Sequence, residues 1–254
     1  MIMAIFDTLG VIYDRFNQKA NYDLYKNFIV ESFKNYAVVA DGYQPRAVDL
    51  GCGTGEMSLM LAREGFDVIG VDGSAQMLLQ AMNKAYDNPE LSLFFVKQDF
   101  RSLTMDAKAN LIISCYDSLN YLLSENDLEK TFKAVYAHLC EGGVFIFDLN
   151  NLHRFQSYYG DNVFVFKQSN AVLIWENHYN SDLNTLSFEI ESFVKQDKLY
   201  KRQRESHKQR YFSGETVIAL LEKTGFRLKS VCDDKSVFLT EDTPVRDFYI
   251  AFKN

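Results

Sequence analysis

At 254 residues the chain suits one large α/β domain or such a domain carrying an insertion, and with 47% hydrophobic and 15% aromatic residues it can fill a sizeable core. A formal charge of −7 disfavours a generic polyanion binder, because nucleic-acid proteins usually carry a basic excess.

Apolar residues at 22, 25, 28, 29 and 33 have helical spacing, so the segment 21–33 is expected to form a helix packed on a sheet. Arg46 to Leu50 then reads as a short buried strand that runs through Asp49 into Gly51, Gly53 and Gly55, with a helix start behind them. Alternating glycines let the backbone turn tightly and approach a ligand where a Cβ would collide, and the helix start offers amides to a negative group. The next apolar run, Asp67 to Asp72, ends in a carboxylate about twenty residues downstream, the spacing at which a neighbouring strand reaches a ribose diol. Ser74 is suited to cap a helix over 75–86, whose first turn places Met77 to lie against a base. A third run, Leu91 to Gln98, brings Asp99 and Phe100 to the same edge, since neighbouring strands lie only ~4.8 Å apart. Three acid-tipped strands in succession imply a nucleoside pocket.

A fourth strand is expected at 111–115, then a helix from about 127 to 139 opened by Ser124 and Asp127, and a fifth strand at 144–148 behind Gly142 and Gly143. Such alternation implies right-handed crossovers and a parallel, doubly wound sheet covered on both faces. From residue 151 the pattern changes to long β runs at 163–168, 171–179, 185–195 and 199–211, joined by short polar turns as antiparallel strands are. A helix over 214–223 capped by Ser213 and strands at 226–231 and 247–252 are then expected to resume the parallel pattern. The division is thus a nucleoside-binding domain made of 1–150, with its N-terminal helical cap, and 213–254, with 151–212 as an inserted antiparallel β subdomain.

The dehydrogenase fingerprint needs glycine where Glu56 stands, and Asp49 precedes the first glycine, so a pyrophosphate ligand is disfavoured. The order Asp49-x-Gly51-x-Gly53-x-Gly55, then Asp72, then Asp99-Phe100 resembles the class I S-adenosylmethionine-dependent methyltransferases of small molecules, closely over 46–148 and loosely beyond. The resemblance implies a seven-stranded, mostly parallel α/β sheet and S-adenosylmethionine as cofactor. It also implies that the loop Gly51, Cys52, Gly53 and Gly55 holds the methionine part, with Asp49 reaching its ammonium. Asp72, followed by Gly73, would accept from the ribose hydroxyls, Asp99 and the Phe100 amide would meet adenine, and Met77 would lie beside them.

In that family the loop after the fourth strand borders the methyl group, so Tyr116, Asp117 and Asn120 are expected on the acceptor side. Tyr13 resembles an N-terminal tyrosine that covers the site in related enzymes, within a segment Tyr13-Asp14-Arg15 expected to fold over the cofactor. In the insertion, Glu176 with His178, Glu189 with Glu191, and Glu205 with His207, Gln209 and Tyr211 share strand faces. Were those faces turned to the sheet edge they would form an acidic pocket for an amine or polyol, with His207 as proton acceptor; turned outward they are solvated surface.

The expected activity is methyl transfer to nitrogen or oxygen of a small molecule by in-line displacement. The segment 195–210 carries seven basic residues against two acidic ones, which leaves open an RNA methyltransferase. Against it, no Asn/Asp-Pro-Pro-aromatic stretch follows the fourth strand. A cofactor-binding protein without turnover and, more weakly, a nicotinamide oxidoreductase are the other readings. Cys52, Cys115, Cys140 and Cys232 show neither metal nor disulfide spacing, so no metal is expected. The first residues lack a basic region and a cleavage site, and no apolar run has the length of a membrane span. A cytoplasmic monomer or homodimer without membrane or nucleic-acid partners is expected.

Overall fold

Ala47 and Val48 are neighbours on opposite faces of one strand, and both are fully buried. That double burial makes β1 (Arg46–Leu50) the middle of a sandwich of layers. The computed structural model describes residues 13–14, 21–40, 42–240 and 242–254. β1 pairs in parallel with β2 (Asp67–Asp72) on one side and β4 (Ala109–Ser114) on the other. β3 (Leu93–Lys97), β5 (Leu139–Asn150), β10 (Arg227–Asp233) and β11 (Arg246–Phe252) complete a seven-stranded sheet in the order β10-β11-β5-β4-β1-β2-β3. The parallel pattern does not resume at the end as expected: β11 runs antiparallel to both β5 and β10. The helix that joins β10 to β11, α6 (Asp234–Phe238), is little more than one turn, short of the full helix that usually carries the chain back for a parallel pair.

Helices cover both faces. One face, bearing Ala47, Val68, Ile113 and Phe248, packs under α1 (Tyr22–Tyr36), α2 (Glu56–Arg63) and α3 (Ala75–Tyr86). The other, bearing Val48, Leu50, Ile112 and Phe145, packs under α4 (Glu125–His138) and α5 (Gly214–Lys223). Side-chain oxygens of Ser74, Ser124 and Ser213 accept from the amides of Met77, Asp127 and Thr216, so the sequence-read caps open α3, α4 and α5. β5 starts at Leu139, directly after α4, and includes the glycine pair expected to lie between helix and strand.

The insertion is a second sheet, β6 (Val163–Gln168), β7 (Ala171–Asn180), β8 (Thr185–Gln196) and β9 (Leu199–Arg210), antiparallel throughout. Its register places Trp175 opposite Ile190 and Phe188 opposite His207. With Leu173, Leu186, Phe155 and Tyr159 these apolar side chains form a small core of their own. A π-helical turn, Arg154–Tyr159, leads from β5 into this sheet; the sequence pattern gave no sign of it.

Gly55 is held at φ +79°, and a Cβ there would lie 2.7 Å from the Phe95 ring and 2.9 Å from the Ala81 methyl. A left-handed backbone costs a side-chain-bearing residue roughly 1–2 kcal/mol, and overpacking adds roughly 1–3 kcal/mol. Gly55→Ala should therefore lower unfolding stability by about 2 kcal/mol or more, read as a lower urea midpoint.

Candidate active site

The carboxyl ends of β1, β2 and β4 converge, as the edge of a parallel sheet must, on a cavity of about 590 Å³. Such a volume is within the range of small-molecule sites. One end of the cavity is bounded by Gly51, Gly53, Asp72, Met77 and Asp99, and the far end by Trp175, Phe188 and Arg154.

At the cradle end Gly53 has φ +53° and open space where its Cβ would project. A side chain there would enter the cavity and would also strain the turn. A Cβ at Gly51 would instead lie 2.5 Å from the Ser118 hydroxyl, so this glycine lets the β4 loop close in. Gly55 lies off the cavity walls, and its φ and contacts explain its presence as packing rather than ligand approach. Asp72 accepts from the Gly53 amide at 2.9 Å and the Ser74 amide at 2.7 Å, which fixes its carboxylate at the lip of the loop. Cys52, Gly73, Met77 and Phe100 line the same end. Asp99 is there too, but its carboxylate is taken up by Arg101, which holds its pKa below the usual carboxylate range. An incoming adenine amino group would compete with, or share, that pair.

Asp49 is 1% exposed and accepts a 2.6 Å hydrogen bond from Ser58 of α2. Burial raises its pKa from 3.8 to about 7, against the pull of the Ser58 bond and with a push from Asp72. Bound cationic nitrogen would favour the ionised form. Together the glycine cradle with room for a ligand, the acids around it and the enclosed volume fit an adenosyl compound cationic at nitrogen and sulfur.

The β4 loop borders the middle of the cavity. Tyr116 and Asp117 both adopt left-handed backbone, φ 56° and 55°, which is costly for residues with side chains. Asp148, fully buried at the end of β5, offsets that cost by accepting from the Tyr116 amide at 2.7 Å and the Asp117 amide at 2.8 Å. The Tyr25 hydroxyl and Arg246 donate to the same carboxylate. Arg246 also donates to Asp117 at 2.9 Å and lies 5.3 Å from the Tyr116 ring centre, while Gln209 of β9 donates to Asp117 at 2.8 Å. Burial opposes the charge on Arg246, but Asp148 and Asp117 outweigh it and raise its pKa.

Tyr13 also lines the cavity, and burial, with Asp117 and Asp14 nearby, raises its pKa so that it stays a neutral phenol. Asp14 accepts from Thr54 and pairs with Lys84 at 2.8 Å, which ties this turn to the cradle; Arg15 lies outside the described residues. Burial likewise raises the pKa of Tyr116.

Two expected residues are placed elsewhere. Asn120 is fully buried, donates to the Arg210 carbonyl at 2.8 Å and accepts from the Asn150 amide at 2.9 Å, so it fastens the β4 loop to β9 and β5 rather than facing an acceptor. His207 does not line the cavity: its ring stacks on Phe188 at 4.9 Å, its Nε2 is 3.1 Å from Glu205, and Phe188 forms the wall. The expected acidic pocket is absent among the described residues. Glu176 and His178 are exposed, and Glu189 and Glu191 pair with Arg204 and Arg202 on the outer face, which also neutralises part of the basic segment. The inward face is aromatic because odd positions of β7 pair with even positions of β8.

Gln209, expected on a shared face of its strand, does reach the cavity, whereas Asp148, Arg246, Arg154 and Tyr159 carry little signal in the sequence. The only available hint was a charged residue at the tip of an otherwise apolar strand, which both Asp148 and Arg246 satisfy.

A family model described as a methyltransferase domain matches residues 47–143. The crystal structure of an S-adenosylmethionine-dependent methyltransferase from Clostridium acetobutylicum ATCC 824 is 31% identical and superposes with a TM-score of 0.85 over 98% of this chain and 99% of that one. YqeM of Bacillus subtilis (strain 168), whose name places it among the methyltransferases, is 32% identical over 91% of this chain and 90% of its own. The chain is a class I S-adenosylmethionine-dependent methyltransferase. At the level of fold alone, this methyltransferase is also similar to CalS10 of Micromonospora echinaspora, an amino pentose methyltransferase solved with S-adenosylmethionine bound. The two share 15% identity and a TM-score of 0.75 over 96% of this chain and 97% of that one. No helix among the described residues is long and apolar enough to cross a membrane.

Because Asp49 ionises only with difficulty in the folded state, the ligand-free methyltransferase should lose stability as pH rises from about 4 to about 7. Asp49→Asn has no such cost, so its melting temperature relative to wild type should climb across that window and then level off. Arg246→Met leaves Asp148 buried without its counter-charge and should cost about 3–5 kcal/mol in chemical unfolding.

Proposed function

We propose that this methyltransferase transfers the methyl group to nitrogen or oxygen of a small molecule held between the cradle and the inner face of the inserted sheet, with 151–212 acting as the acceptor subdomain. The observation that carries this reading is the continuity of the cavity, which runs from Gly53 and Asp72 to Trp175 and Phe188 without a dividing wall. The amino pentose methyltransferase activity named for CalS10 is in keeping with it. The neutralised outer acids and arginines of the basic segment give no support to an RNA substrate.

S-adenosylmethionine supplies a methyl group already activated on a sulfonium sulfur, so no nucleophilic side chain is needed. The Gly51–Gly53 turn would receive its methionine part, Asp49 its ammonium and Asp72 its ribose, with Phe100, Met77 and the Asp99–Arg101 pair around the base. Asp117 is fixed from two sides by Arg246 and Gln209, so its oxygens are already placed to accept a hydrogen bond from the acceptor N–H or O–H. Tyr13 and Tyr116, as neutral phenols, would exclude water and aim the acceptor. The buried Tyr116 hydroxyl has no hydrogen-bond partner among the described residues and is thus available for that contact.

Calorimetry should show binding of S-adenosylmethionine and of its demethylated product, weakened in Asp72→Ala by about 1–3 kcal/mol for the lost hydrogen-bond pair. With a panel of small amines and alcohols, release of the demethylated product should exceed the background without acceptor. Methyl incorporation into RNA transcripts but into none of the small acceptors would overturn the reading.

A further inference from the structure

The far end of the cavity holds a positive charge that no carboxylate among the described residues pairs with. Arg154, on the π-helical turn, lines the cavity, and no carboxylate lies within ion-pair distance of it among the described residues. Its guanidinium packs 4.9 Å from the Tyr159 ring centre and 5.1 Å from that of Tyr158, and donates to the Tyr159 hydroxyl at 2.9 Å. Its Nε is buried without a hydrogen-bond partner. Trp175 packs against the same tyrosine, with ring centres 5.3 Å apart, and its indole Nε1 is a second buried donor without a partner. Buried donors are almost always paired, so two orphans against one tyrosine mark a place where an acceptor belongs.

Nearby negative charge does not meet this need. Asp148 is held by Arg246, Tyr25 and two backbone amides, Asp117 is fixed beside Arg246 and Gln209, and Glu205 engages His207. Phe166, Leu173 and Phe188 supply apolar walls beside the two donors.

We infer that the methyl acceptor is a molecule with an aromatic or apolar body bearing an oxyanion, carboxylate or phosphate, which docks on the Arg154 guanidinium while Trp175 and Phe188 wall its body. This deepens the proposed function and rests on its placing of the acceptor against the inserted sheet. Because Nε is shielded from water, the oxyanion reaches it by a rotation of the Arg154 side chain that exposes this nitrogen. A guanidinium suits the task, since its fork matches either anion in two parallel hydrogen bonds.

The test is calorimetry with phenylacetate, phenyl phosphate and the neutral phenylacetamide, each on the enzyme saturated with S-adenosylhomocysteine. The wild type should bind at least one anion about tenfold or more tighter than the amide, the size expected of a charge-assisted hydrogen-bond pair. The tighter of the two anions distinguishes a carboxylate from a phosphate acceptor. Arg154→Met should abolish the preference and Arg154→Lys should retain only part of it, with S-adenosylhomocysteine affinity and melting temperature near wild type in whichever variant is scored. Equal binding of amide and anions, a preference that survives in Arg154→Met, or no saturation by either anion up to about 10 mM would overturn the inference. Trp175→Ala checks the underlying placement separately: it should weaken all three probes, and if none changes, it is the inserted-sheet site that fails.

Discussion

A single buried carboxylate organises the β4-loop side of the cavity in this methyltransferase. Asp148 has no exposure to water, and in a low-dielectric interior a lone charge of that kind would be prohibitive. It is tolerated because Arg246, Tyr25 and two consecutive amides of the β4 loop all donate to it. The bonds work in both directions. They keep the charge buried, and they hold Tyr116 and Asp117 in left-handed backbone that neither residue would choose alone. Asp117, so placed, is joined by Gln209 to the inserted sheet. The position of the β4 loop, the antiparallel closing strand and the insertion are therefore settled by one cluster of charges.

The cradle is built on a different economy. There the backbone itself faces the ligand, and Asp72 draws two amides of the loop around its carboxylate before any ligand arrives. Preorganised dipoles need not rearrange during a reaction, which suits a transfer whose donor is already activated and whose protein has only to align and to exclude water. The inserted sheet contributes the opposite chemistry, an aromatic floor with few polar groups. The two ends of the cavity thus differ, one built on backbone amides and acids and the other largely on aromatic rings.

What could be read from the chain alone follows from locality. The glycine loop, the acid tips of β2 and β3 and the serine caps are short-range signals, each decided by residues within one turn or one strand, and they appear where the spacing placed them. The β runs of the insertion were legible for the same reason, and their ends agree to within a residue. Which face of that sheet turns inward was not legible, since period-two alternation gives two faces and only packing against Tyr159 and Phe155 chooses between them. Asn120 and His207 illustrate the point: both are polar residues in plausible places, yet one is consumed by backbone partners from β5 and β9 and the other by a stacked phenyl ring. Arg246 was hidden for a plainer reason. It is separated from Asp148 by 98 residues, and nothing local announces such a partnership.

That separation bears on how the molecule comes into being. β11 follows every other described strand in the chain and takes a place between β10 and β5, inside the sheet rather than at its rim. Until it docks, β5 presents an open edge, Asp148 lacks its guanidinium and the bend at Tyr116 has little to hold it. During synthesis on the ribosome β1 to β3 emerge first, while the β4 loop that closes onto Gly51 has to wait for the closing strand to supply Arg246. The cavity is therefore whole only once the last strand has slipped between two that were made before it.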